Sequence, residues 1–161
     1  MADRKLAYTA ITAPAHTIAS LATSATLTTG RESTAVDNST TKYLDIAIRR
    51  PVTTGTTPTA GTIELWIIPS LDGTTYPDVF DGTDSAETVT TRDILYGSGR
   101  LGASIPTDTT SNQIYELLVP SLRDLFGTAP QKFVLFLTHS TVAALNATPG
   151  TAILTGSYET F

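Results

Sequence analysis

Five acids, Asp72, Asp78, Asp81, Asp84 and Glu87, crowd into one short stretch that also carries Gly73 and Gly82. Carboxylate oxygens on a flexible turn are the hard ligands that calcium prefers. The spacing departs from the helix-flanked calcium loop, since Gly82 has the wrong neighbours and no helices are expected on either side. Solvated loop acids are therefore the default, with calcium at Asp78, Asp81 and Asp84 as the chemical alternative. A second motif, Gly97-Ser98-Gly99-Arg100-Leu101-Gly102, matches the dinucleotide-binding glycine pattern but lacks its context. A nucleotide site needs a helix that starts inside the motif, and Ala103-Ser104-Ile105-Pro106 cannot build one. Trp66 and Tyr76 could stack on a sugar ring if exposed, although packing is the commoner fate of such residues. His16 and His139 are too few for a histidine metal site, and His139 and Ser140, as strand neighbours, point to opposite faces. Hydrolase, zinc-peptidase and NTPase motifs are absent from the sequence, so no catalytic, cofactor-binding or metal-binding residue is assigned.

The elements that must carry these residues read as strands. Thr62 to Ile68 alternates with Ile63, Leu65 and Ile67 on one face and Glu64, Trp66 and Ile68 on the other, so both faces are substantially apolar. Phe133-Val134-Leu135-Phe136-Leu137 is the most apolar run, bounded by Lys132 and Thr138, and reads as a buried central strand. Further strands are expected at 18–29, 42–49 with Leu44, Ile46 and Ile48 on one face, 87–91, 92–96, 101–105, 114–119 and 152–160. Asp72-Gly73 is a hairpin-type turn pair. The one helical candidate is Ser121 to Phe126, where Ser121 can cap the first turn and Gly127 can end it. Nine strands exceed what one sheet usually holds, which predicts an all-β, two-sheet antiparallel sandwich of jelly-roll or Greek-key type over residues 18–161. Residues 1–17 lack a clear period and are expected to form an extended N-terminal arm, docked on a neighbouring subunit or on its own domain. The expected inter-sheet core is Leu44, Ile46, Ile63, Leu65, Ile67, Leu135 and Leu137.

Composition agrees with this reading and narrows the partners. The 161 residues suffice for one well-packed domain, and threonine, about one residue in five, favours strands. With no cysteine, neither disulfides nor thiolate metal sites are available. A net charge of −5 with scattered basic residues argues against nucleic-acid binding. The closest basic pair, Arg49-Arg50, reads as a solvated strand end before Pro51. No run is long enough to span a membrane, and no secretory leader is visible, so a soluble, unprocessed chain is expected.

The segment Gly61-Thr62-Ile63-Glu64 followed by Ser70-Leu71-Asp72-Gly73-Thr74-Thr75-Tyr76-Pro77-Asp78 resembles small accessory virion proteins of tailed bacteriophages, of the head decoration or cement type. Val36-Asp37-Asn38-Ser39-Thr40 with Tyr43-Leu44-Asp45 is similar to the lead into the preceding strand in that group, and the whole resemblance covers roughly Val36 to Asp78. It implies a β-rich, non-enzymatic structural protein of a phage particle, without cofactor. Its expected partner is the major capsid protein and its expected location the head surface of the virion. Closed symmetry favours a homotrimer at three-fold positions, with a dimer as the other option. The alternatives are a tail, neck or baseplate component and a carbohydrate-binding sandwich module.

Overall fold

The computed structural model describes residues 4–160. In chain order the elements are β1 (Lys5–Ile11), β2 (Thr29–Glu32), β3 (Val36–Asp37), β4 (Asp45–Thr53), β5 (Gly61–Ser70), β6 (Ala86–Thr88), α1 (Arg92–Ser98), β7 (Arg100–Thr107), β8 (Ile114–Val119), α2 (Leu122–Phe126), β9 (Lys132–His139) and β10 (Ile153–Thr160). They form two antiparallel sheets, one ordered β1-β10-β4-β8 and the other β6-β2-β9-β5-β7 with β3 added to β9. The protein is an all-β sandwich.

The alternation in β5 sorts its side chains between two separate cores. Ile63, Leu65 and Ile67 meet Ile46, Ile48, Val119, Leu135, Leu137 and Leu154 between the sheets. Trp66 and Ile68 face outward, where they pack with Phe80, Val89, Leu95, Val134 and Phe136 in a second cluster. That cluster lies under α1 and the segment after β5, so Trp66 is buried outside the sandwich rather than within it. β9 repeats the pattern as the central strand of its sheet, and its register sets Leu137 opposite Leu65 and Phe136 opposite Trp66.

Several expectations are corrected. Residues 92–96 are helical, because α1 is held by tertiary contacts that a strand would forfeit: buried Leu95 in the outer cluster, and the Arg92 ion pair with Glu64. Residues 18–28 form no strand; from this irregular segment Ile18 is buried in the inter-sheet core and Leu21 packs against it. Leu44 precedes β4 and is 43 % exposed, so it leaves the expected core. Arg50 is not solvated: β4 continues through Pro51 to Thr53, and alternation with Ile46, Ile48 and Val52 carries Arg50 inward. Pro51 is tolerated there because pairing with β10 ends at Arg49. Asp72-Gly73 makes a turn but not a hairpin, since the next strand, β6, pairs with β2 at the far edge of the sheet.

The N-terminal segment docks on its own domain. β1 pairs with β10 from Lys5 opposite Thr160 to Ile11 opposite Leu154, and Ile11 packs against the inter-sheet core. Met1 to Asp3, the start of the expected arm, and Phe161 lie outside the described residues. α2 has the expected caps: Ser121 Oγ accepts the Asp124 N–H at 3.0 Å, and Gly127, at φ 81°, donates to Arg123 O at 2.7 Å.

Candidate functional site

The acids that sequence groups together do not converge, each being taken up by partners of its own. Asp72 Oδ1 accepts N–H bonds from Thr74 at 2.8 Å and Thr75 at 2.7 Å, which hold its carboxyl well below the usual range. Asp78 accepts from Thr90 N at 3.1 Å and Thr90 Oγ1 at 2.9 Å, and Asp81 accepts from Thr83 N at 2.9 Å. Asp84 pairs with Arg31 Nε at 2.7 Å and accepts from Thr17 N at 3.0 Å. Burial would raise the Asp84 carboxyl, but these hydrogen bonds outweigh it and lower the pKa to about 2. Glu87 accepts from Ser85 Oγ at 2.6 Å. Among the described residues no group of three or more side chains is placed to hold a metal ion.

The glycine motif runs with the opposite polarity to a nucleotide site, because α1 ends in it rather than starting there. Gly99 N–H donates to Leu95 O at 2.9 Å, and a Cβ at Gly99 would meet Ile68 Cδ1 at 2.4 Å. Close packing explains that glycine. His139 is fully buried, its ring nitrogens 3.0 Å from Thr141 Oγ1 and from Leu21 O. His16 Nε2 is 3.0 Å from Arg31 O, while Nδ1 is buried without a partner. Burial, with Arg50 nearby, lowers the His16 pKa to about 3, so the ring is neutral. Arg50 donates to Gly150 O at 2.7 Å and His16 O at 3.2 Å, and burial lowers its pKa to about 10.

Trp66 offers no sugar platform. Its indole Nε1 donates to Glu64 Oε2 at 3.0 Å, its ring meets Tyr96 edge-on at 4.9 Å, and Arg92 pairs with Glu64 at 2.5 Å above it. Tyr76 is half-buried beside the same cluster, with its hydroxyl buried and its pKa raised to about 12, chiefly by burial.

The structure adds a site that sequence reasoning did not find. A cleft of ≈ 520 Å³ opens at one end of the sandwich between the 71–77 turn, the end of α1 and α2, with Pro69, Leu71, Tyr76, Pro77 and Phe126 as its apolar lining and Asp72 and Arg100 among its polar groups. Leu71, 91 % exposed, separates it from a smaller cleft of ≈ 230 Å³ bounded by Phe126, Pro130 and Gln131. Asx bonding at Asp72 and positive φ at Gly73 fold the turn so that Leu71 stands out while Tyr76 turns back. The cleft supplies apolar contact surface and no nucleophile paired with a base. The signal in sequence was a leucine set between a strand-ending Ser70 and a turn-forming Asp72.

Glu32 was also missed. Its carboxylate is buried on β2 and accepts N–H bonds from Gly82 at 2.7 Å and Asp81 at 3.2 Å. Burial, aided by the Asp81 and Glu87 charges, pushes its pKa up to about 7 from an ordinary 4.5. The folded state then holds a proton that the unfolded chain has released, so this contribution to stability is complete below about 4.5 and is lost as pH rises through about 7. His16 has the opposite sign, contributing above 6.5 and losing its contribution as pH falls toward 3. Glu32→Gln should therefore gain stability relative to the parent as pH rises from about 4.5 to above 7. Melting profiles of the two proteins that stay parallel across that window would contradict the assignment.

No protein-family model matches this chain, and no curated protein matches it.

Proposed function

We propose that this chain is a non-enzymatic structural protein that decorates or cements the head of a tailed bacteriophage, docking on the major capsid protein at the virion surface. The observation that carries the reading is the coincidence of motif and surface. Residues Ser70 to Asp78, where the resemblance to phage accessory proteins is densest, are the ones that fold into the open cleft and leave Leu71 outside. An exposed leucine between two apolar clefts is a protein-contact feature, since its burial against a partner gains hydrophobic free energy that solvent withholds. The mechanism is physical. Docked across a seam, the protein buries surface shared between capsomers and raises the free energy needed to separate them.

The strand order supports the same reading by analogy. We read β1-β10-β4-β8 facing β2-β9-β5-β7 as a jelly-roll arrangement, an architecture used by viral shell proteins and by lectins. A tail, neck or baseplate component would use the same contacts at another location. The glycan-binding alternative keeps one specific support, the Tyr76 ring in the cleft wall, and glycan-array binding abolished by Tyr76→Ala would favour it. The test of the proposal is co-sedimentation of the purified protein with heads that lack it. Saturable binding, weakened by Leu71→Asp, is the expected result; no binding by the parent protein would remove the head from the account.

A further inference from the structure

The two sheets differ in what covers them. The outer face of the sheet containing β5 and β9 lies under α1 and the 71–89 segment, whereas the outer face of the β1-β10-β4-β8 sheet carries exposed apolar side chains. In an antiparallel sheet paired residues share a face, so register identifies that surface. Leu118, Arg49 and Ile153 form one row across β8, β4 and β10, and Tyr8, Ser157 and Asp45 form another across β1, β10 and β4. Leu6, Tyr8, Ile114, Leu118 and Ile153, five of the nine exposed large hydrophobic residues among the described residues, stand on this one face. Between them lie small side chains, Ala10, Ala47 and Thr155, which leave the face flat.

Both arginines on the face are already paired within it. Arg49 pairs with Glu116 at 3.2 Å and Arg4 with Glu159 at 3.7 Å, while Asp45, at one end, accepts N–H bonds from Ile46 and from Arg123 of α2. Such a face offers little to a strongly charged partner and suits one that is equally apolar and close to neutral. Four strands about 4.8 Å apart and about seven residues long give a face of roughly 19 by 23 Å, about 440 Å² in outline. Two copies packed face to face cover about 900 Å² of outline, and the half-exposed side chains that stand above it bring the buried surface to about 1,000 Å², the size that a specific interface needs.

The geometry points to a two-fold homodimer in which the outer β1-β10-β4-β8 faces of two copies pack on each other, sheet on sheet. A face-to-face contact is isologous and closes at two copies, unlike the three-fold ring that symmetry alone would favour. It also deepens the proposed function, on which only this last step rests: one chain has one cleft end, and a dimer has two, which lets a single unit hold two capsomers at once.

Sedimentation equilibrium of the free protein, with no heads present, tests the dimer separately from head binding. The expected mass is twice the 17.0 kDa of the chain. The double variant Leu118→Lys/Ile153→Lys should fall to the monomer mass with an unchanged circular dichroism spectrum, while Leu71→Lys, at the cleft, should remain dimeric. Because the chain has no cysteine, Thr155→Cys provides an independent measure that leaves the apolar residues in place: a maleimide should label it slowly at high protein concentration and faster on dilution, as the face is uncovered, while labelling of Thr74→Cys, on the cleft turn, should not depend on concentration. A monomer or trimer mass for the parent, a dimer lost with Leu71→Lys and kept by the face variant, or labelling of Thr155→Cys that does not change with dilution would overturn the proposal. Should the double variant fail to fold, the labelling comparison alone decides.

Discussion

Leu65→Ala is expected to destabilise the protein by about 2 to 5 kcal/mol, because it removes a fully buried side chain from the centre of the inter-sheet core and leaves a cavity that stiff strands cannot close. Leu65 lies opposite Leu137 on β9 and opposite Ala103 on β7, where the register shifts before Trp66. Three strands therefore lose packing together. For a domain of this length a loss of that size corresponds to a fall in melting temperature of about 10 °C. Urea unfolding followed by circular dichroism measures it directly, and an unmoved midpoint would mean that β5 does not form the middle of the core.

Trp66→Ala should cost a comparable amount, about 3 to 5 kcal/mol, but its effect should be distributed differently. Trp66 faces the outer cluster, so the damage falls on the elements that cover it. Without the indole, Glu64 loses a hydrogen bond at 3.0 Å, Tyr96 loses its edge contact, and Arg92 loses the ring 6.0 Å below its guanidinium. α1 is only seven residues long and depends on those contacts, since an isolated helix of that length is not stable in water. Amide exchange should accelerate in α1 and in the segment leading to it much more than in β4 and β10. Uniform acceleration throughout the chain would show that the two clusters are one cooperative core.

What the sequence disclosed follows from which signals are local. β5, β8 and β9 were readable because period-two alternation and turn residues delimit them, and α2 because Ser121 and Gly127 mark both ends. α1 was not, since Ile94 and Tyr96 favour strands and contacts distant in sequence make the helix preferable. Arg50 was hidden for a different reason. The alternation through Ile46, Ile48 and Val52 already placed it inside, but charge next to proline suggested solvent, and the carbonyls of Gly150 and His16 that receive its guanidinium come from remote parts of the chain. The acids gave the residue types of an ion site without its geometry, because Asp72 and Asp81 are taken up by their own turns, Asp78 by Thr90, and Asp84 by Arg31 and Thr17. The apolar outer face could not be seen before the register was known, as its residues come from four strands that are far apart in sequence.

The cementing role is tested most directly by the temperature at which heads release their DNA, measured with and without added protein at saturating binding. Decorated heads should release DNA at a higher temperature, and heads carrying the Leu71→Asp variant at the same concentration should behave like bare ones. Release at an unchanged temperature, with the parent protein demonstrably bound, would contradict the claim that this protein holds the shell together.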